Sequence, residues 1–277
     1  MWLGPVHASN LGGWIARSLG PWLPVSAVAD RNLRFALPGY DRSERRRIIR
    51  AMWDNLGRTA AELPHLGTLR RLDSLSSPGP GWYCGQEASL RDEAVAGGAI
   101  LFFTGHIGNW EMTLPAAARL GLKVSAVYRP ASNPYVDRLI NDLRRRAVGA
   151  DLPMFAKGAA GGRAAFAHLI RGGSLGLLMD QKLNDGIAVP FFGRPAMTAP
   201  SLAVLALHFR KPVIPVRIDR LGPARLALVM EPPLRLPHSG QRKADILELT
   251  GEVNRTLERW ITARPESWLW LHRRWPK

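Results

Sequence analysis

From residue 99 onward the chain alternates between two patterns. Short apolar runs (AILFF at 99–103, VSAVY at 124–128, LGLLM at 175–179 and VIPVRI at 213–218) are separated by amphipathic stretches of helical length, and a fifth, ARLALVM at 224–230, follows the last of them closely. Continuous apolar runs of that size, bounded by turn residues, mark strands buried on both faces. Their alternation with helices predicts an α/β fold, a mostly parallel mixed sheet flanked by helices. VIPVRIDR and ARLALVM are joined by only a short turn, so an antiparallel strand is expected there.

Helix signals surround this core. In DRSERRRIIRAMWDNLGRTAAEL, Asp41 and Glu44 have the spacing of a capping box, and Ile48, Ile49, Met52, Leu56, Ala60 and Leu63 recur at helical spacing. The opposite face carries Arg42, Arg45, Arg46, Arg47 and Arg50, which reads either as a solvated face or as one resting on anionic headgroups. Asn133 before Pro134 opens one further helix and Thr198 with Pro200 another, and a long helix is expected over about 241–263. SSPGPG, Ser76 to Gly81, is a loop.

The first thirty residues are apolar but broken by His7, Asn10, Arg17, Pro21 and Pro24, so they predict neither a spanning helix nor a signal peptide. Trp2, Trp14 and Trp22 beside Arg17 suit a segment lying in a membrane interface, and equally a helix packed on the domain. The expected organisation is a membrane-proximal segment over 1–40 and one domain over 41–277.

Composition changes this picture at two points. Of 38 cationic side chains against 22 acidic ones, 32 are Arg, giving a net charge of +16 and a sequence pI near 11.2. Such a field draws an anionic partner, whether an acidic protein, a phosphorylated lipid or an anionic membrane surface. No helix-turn-helix or aromatic-basic RNA motif accompanies it, so nucleic acid is not the expected partner. The single cysteine, Cys84, excludes an internal disulfide and a Cys-based zinc site and fits a reducing compartment; no metal-ligand spacing occurs among the seven His.

In open α/β sheets ligands bind beyond the carboxyl ends of the strands. AILFF ends at Thr104, Gly105 and His106, VSAVY at Arg129, and LGLLM at Asp180 and Gln181, so three strands deliver a base, a cation and a carboxylate to one rim. His106 and Glu111 lie five apart, about 140° around a helix, and can meet only across a turn through Gly108 with a helix starting near Asn109; Pro115 delays or kinks that helix. Such a pair is either a general base with its bracing acid or a satisfied histidine beside a helix-start carboxylate, and spacing leaves both open. No nucleophilic Ser or Cys stands beside it, which favours activation of a substrate hydroxyl or amine. GGSLG, Gly172 to Gly176, matches a nucleophile elbow, but a helical stretch precedes it and a strand follows, the reverse of the required order.

GHIGNWE, YRPASNP with DRLI close behind, LLMDQ followed by GIAVPFFGRPA, and the terminal PESWLWLHRR occur in order from about residue 31 to the C-terminus. Together they resemble the bacterial lipid A late acyltransferases, the lauroyl and myristoyl transferases of lipopolysaccharide biosynthesis. The resemblance implies a glycerolipid acyltransferase type of fold and transfer of an acyl chain from an acyl carrier protein thioester to a hydroxyl of a phosphorylated lipid acceptor. It implies an H-x4-D/E dyad, His106 and Glu111, with no cofactor, no metal and no covalent acyl-enzyme. Arg129 and Asp180 belong by the same likeness to the site, with Asn109, Asn133 and Gln181 as further substrate contacts, and Asp180 ordering Arg129 or a sugar. Donors near Gly108 and Asn109, or Arg129, would meet the oxyanion. The implied location is the cytoplasmic face of the inner membrane. Family members as a rule begin with a spanning helix, whereas this N-terminus is short and broken by proline, so either the start is misplaced or attachment is peripheral or monotopic. Rival readings are a sister enzyme using another lipid acceptor or acyl-CoA, a non-enzymatic basic binding protein, and a serine hydrolase acting through Ser174.

Overall fold

A computed structural model describes residues 3–86, 98–128, 130, 133–149 and 152–275. Its centre is a seven-stranded sheet in the order β1-β9-β8-β2-β5-β3-β4. The strands are β1 (Gly81–Cys84), β2 (Leu101–Thr104), β3 (Val124–Tyr128), β4 (Met154–Ala156), β5 (Ser174–Leu178), β8 (Val213–Gly222) and β9 (Arg225–Met230). All neighbours pair in parallel except the β8–β9 hairpin, which is antiparallel, as the short turn between those runs predicts. A separate hairpin, β6 (Ile187–Phe191) with β7 (Arg194–Thr198), packs on the side.

The alternation of side chains along a strand divides the core in two. Leu101 and Phe103 of β2 point into one cluster with Leu175 and Leu177. Phe102 points into the other, with Val124, Ile214 and Val216. Helices cover both faces: α1 (Pro5–Leu19), α2 (Ser26–Ala36), α3 (Arg42–Glu62), α4 (Thr113–Arg119), α5 (Pro134–Val148), α6 (Ala159–Ile170), α7 (Ser201–Phe209) and α8 (Arg242–Ala263). The Asp41–Glu44 capping box is formed at the start of α3, with the Glu44 backbone N–H donating to Asp41 at 2.9 Å and the Asp41 N–H to Glu44 at 2.7 Å. α2 belongs to the first core cluster through Ala29 and Leu33, and Asn32 donates to the carbonyls of Trp270 and His272.

The C-terminal PESWLWLHRR sends Trp268, Trp270 and Arg274 into the interior while Glu266 and Arg273 stay exposed. Trp268 and Trp270 are fully buried and meet edge to face at 4.5 Å, and the Arg274 guanidinium is enclosed beneath them, donating to Met197 O and Thr198 Oγ1. This segment forms antiparallel backbone contact with the loop after β2, where Leu269 N donates to His106 O and Gly108 N donates to Ser267 O.

That loop is pinned at Gly108. Its φ is +58°, and a Cβ there would stand 1.7 Å from the Ile218 carbonyl oxygen, while its own carbonyl accepts from Asn55 and Thr59 of α3. Both the left-handed backbone and the close approach require glycine. Gly108→Ala is therefore expected to lose more than about 2 kcal/mol of stability, read as a lowered urea midpoint; an unchanged midpoint would mean that the loop relaxes away from β8.

Candidate active site

Strand register assembles the site. β2 and β5 run in parallel with Thr104 opposite Leu178, so the residues two beyond each strand end, His106 and Asp180, emerge side by side on the same rim. The ladder continues one step past the strands, Met179 N donating to Thr104 O at 2.9 Å. Asp180 Oδ1 lies 2.8 Å from His106 Nδ1, and Oδ2 accepts from the His106 backbone N–H at 2.8 Å and from Trp268 Nε1 at 2.7 Å. A carboxylate only accepts, so Nδ1 carries the proton and Nε2 is the basic nitrogen.

The electrostatics follow from this geometry. Asp180 is fully buried. Burial alone would raise its pKa, yet the neighbouring imidazole and its hydrogen bonds hold the carboxyl far below the ordinary range. Burial likewise disfavours a charged His106, but the charge of Asp180 and its hydrogen bond outweigh that effect and raise the imidazole above its usual value, with Glu111 adding to the rise. His272, its ring centroid 6.0 Å from that of His106, is pushed down to about 4 by burial against the pull of Asp180. It is a neutral neighbour at working pH, so His106 is the group placed to gain or lose a proton.

Glu111 stands elsewhere than the dyad expectation puts it. The chain after Gly108 makes a 3-10 turn over Trp110–Met112 before α4 begins at Thr113, and that turn aims Glu111 at α5. There it accepts Arg144 Nε at 2.8 Å and Nη2 at 2.6 Å, with Trp110 Nε1 at 3.1 Å. The expected bracing of His106 by Glu111 is thus corrected: the acid on the ring is Asp180, and Glu111 binds an arginine. Asp180, expected to order Arg129 or a sugar, is fully buried with its oxygens on His106 and Trp268.

The other expected residues divide. Gln181 is with His106, its amide nitrogen 3.4 Å from Nε2. Asn109 is fully buried and donates to Glu62 at 2.7 Å, behind the site rather than in it. Asn133 is exposed and caps α5, accepting from the N–H groups of Tyr135 and Val136. Gly108 N–H is committed to Ser267 O and is unavailable as an oxyanion donor. Arg129 lies outside the described residues. Ser174 opens β5 at the end away from His106, where its Oγ accepts from Ile100 N, and α6 precedes it, so no nucleophile elbow exists there.

Two residues of the site escaped the sequence reading. Arg144 is one of three consecutive arginines on α5, and only its helical phase separates it from exposed Arg145. Trp268 lies in PESWLWLHRR, whose Trp and Arg suit an interfacial contact as well as a strand or turn packed on the core, and neither reading marks its N–H as a donor to the site. His106, Arg144 and Gln181 face a cleft of about 710 Å³, within the usual range for ligand sites, with Lys157 and Lys182 on its rim. At Trp110, Leu177 and Leu178 the cleft adjoins an apolar cavity running under β2, β5 and β3. Among the described residues no group of His, Cys, Asp and Glu could hold a metal ion. What remains is a carboxylate-oriented imidazole whose Nε2, 3.4 Å from the Gln181 amide nitrogen, lies at a cationic cleft adjoining an apolar cavity, an arrangement able to serve as a general base toward an amphiphilic substrate.

An Asp180→Asn substitution removes the charge that favours imidazolium, so the His106 ring is expected to titrate at lower pH than in the wild type. NMR titration of the ring protons measures this; an unmoved titration would assign the elevated value to another group.

A family model described as bacterial lipid A biosynthesis acyltransferase matches residues 2–277. Comparison with curated proteins returned no match.

Proposed function

The chain belongs to the bacterial lipid A biosynthesis acyltransferase family, and on that premise we propose that it moves a fatty acyl group from an acyl carrier protein thioester to a hydroxyl of a phosphorylated lipid A precursor, using His106 as general base. The observation that carries this reading is the orientation of His106. Its Nδ1 is fixed on Asp180, which leaves Nε2 beside the Gln181 amide, and the ring lines the cationic cleft that adjoins the apolar cavity.

In the proposed reaction Nε2 takes the proton of the acceptor hydroxyl as its oxygen attacks the thioester carbonyl. The tetrahedral intermediate then collapses, the C–S bond breaks, and the imidazolium returns the proton to the departing thiolate. No bond to the protein forms. Asp180 keeps the correct tautomer and stabilises the transient imidazolium, as a buried acid does behind a catalytic histidine. Arg144, held rigid by Glu111, uses two of its nitrogens on that carboxylate; we assign its remaining Nη1 to the oxyanion or to an acceptor phosphate. Gln181 steadies the acceptor oxygen beside Nε2. Lys157 and Lys182 favour the anionic carrier and the lipid phosphates. The acyl chain enters the apolar cavity, where Gly176 of β5 forms part of the wall.

The test is acyl transfer from thioesters of several chain lengths to a phosphorylated lipid A precursor, with products weighed by mass spectrometry. His106→Ala is expected to lower kcat by about 10²- to 10⁴-fold. In the wild type kcat/KM is expected to fall as pH drops through the elevated His106 pKa, because the base is then protonated. Asp180→Asn should reduce kcat more than Glu111→Gln does, since only Asp180 touches the ring; the reverse order would restore Glu111 as the bracing acid. An unchanged precursor mass with every donor would exclude this acceptor.

Cavity shape adds a length prediction. A Cβ at Gly176 would meet Val124 at 3.5 Å and Leu114 at 3.9 Å, ordinary contacts that a larger side chain would extend into the cavity. Gly176→Leu is expected to shift donor preference toward shorter chains while His106 chemistry is retained, and an unaltered length profile would move the chain-binding wall elsewhere.

A further inference from the structure

Arg274 is a buried cation with no counter-ion bonded to it. Of the two adjacent arginines in PESWLWLHRR, Arg273 stays exposed, whereas the Arg274 side chain is completely enclosed. Its hydrogen bonds go only to neutral acceptors: Nη1 donates to Met197 O at 3.0 Å, and Nη2 to Thr198 Oγ1 at 2.7 Å and to Asn254 Oδ1 at 3.4 Å. The guanidinium carbon lies 4.7 Å from the centre of the Phe191 ring, and Nε has no hydrogen-bond partner. An arginine stays charged in such a place, and a charge held away from water is costly unless another charge offsets it. A neutral side-chain amide could brace the β6–β7 hairpin through the same oxygens of Met197 and Thr198. The charge therefore has to be accounted for separately.

Asp180 supplies the offset. Trp268, which donates to Asp180, packs edge to face on Phe191 at 5.9 Å, and Arg274 packs on the same ring. Burial pushes the guanidinium down to about 10, while the charges of Asp180 and then Glu258 pull it back up. His272 lies in the same cluster, 5.1 Å from Trp268 and 6.0 Å from His106 between ring centroids. It shows how an imidazole responds there: burial first, with the charges of His106 and Arg274 adding to it, holds the ring down to about 4 against the pull of Asp180. The other charges that face His106 leave the balance in place, since Glu111 and Arg144 offset each other and Lys157 and Lys182 lie on the rim of the cleft.

With His106 uncharged, the enclosed charges of Asp180 and Arg274 cancel. Were Asp180 alone, the same core would reach neutrality only with His106 protonated, and a protonated ring is no base. We propose that Arg274 is a positioning residue for the reaction: its buried charge balances that of Asp180, so that His106 rests as the free base while Asp180 stays ionised to hold the imidazolium once the proton arrives. The inference rests on His106 acting as the base, and its first readout needs no substrate.

The His106 ring protons of the full chain are titrated by NMR in wild type, Arg274→Met and Thr198→Val. In R274M the ring is expected to titrate at least about half a unit higher. Acyl transfer by R274M should then show kcat/KM reduced about threefold on the acid side of its pH profile, with the plateau at high pH kept. T198V breaks the clamp on the hairpin but keeps the charge, so it is expected to lower the thermal unfolding temperature without moving the ring. A residue that only braced the hairpin would make the two variants alike, less stable and unmoved in titration; that result overturns the proposal, as does T198V shifting the ring as far as R274M. If R274M alone does not fold, the D180N/R274M double variant decides: removing both charges is expected to restore folding, and a double variant that is also unfolded overturns the proposal. A shifted titration in protein that transfers no acyl group to any acceptor supports the charge balance and counts against the acyl-transfer reading alone.

Discussion

Asp180 is an ionised carboxylate with no exposure to water, and a group in that position persists only if the fold surrounds it with donors. Its donors come from two distant parts of the chain. The His106 ring and backbone N–H belong to the turn after β2, and the indole N–H of Trp268 belongs to the C-terminal segment. Leaving any of these groups unpaired would strand buried charge, so the central strand pair and the C-terminus must close around one atom group together. The same requirement aligns the imidazole. Its ring plane is fixed by the carboxylate on one side and by the edge contact with Trp110 on the other, 5.1 Å between centroids.

This explains which parts of the site could be read from sequence. A strand shows its buried residues as a run, and ligand-facing residues follow at its carboxyl end, so His106, Asp180 and Gln181 were accessible without coordinates. What spacing does not carry is register. The pairing of Thr104 with Leu178 decides that His106 meets Asp180, and nothing in either run encodes that offset. Glu111 shows the complementary error. Five residues of separation suggested a reciprocal turn, whereas a 3-10 turn rotates the side chain toward α5. Arg144 was hidden for a simpler reason: an arginine in DLRRRAV looks like solvated surface until its partner is known.

The fold class was legible because the chain repeats one physical pattern five times, and the antiparallel β8–β9 hairpin was legible because no helix could fit between those runs. The aromatic C-terminus was not. Tryptophan and arginine interleaved suit a lipid interface as well as a core, and only three-dimensional context places Trp268 behind Asp180. For α1 the ambiguity resolves differently. Small residues at Ser9, Gly12, Gly13 and Ala16 permit close packing on α3, and that packing turns Trp14 outward.

A second buried carboxylate ties α1 to the loop after β2. Glu62, at the end of α3, accepts Ser9 Oγ of α1 at 2.6 Å, Asn109 Nδ2 of the catalytic loop at 2.7 Å and Ala224 N of the β8–β9 turn at 2.9 Å, and it is paired with Arg220. Arg220 also reaches Asn55 and Thr59, the residues that grip the Gly108 carbonyl. A buried ion pair contributes little net stability but is costly to leave half made. The outward helix, the loop bearing His106 and the β8–β9 hairpin are therefore constrained to one relative arrangement.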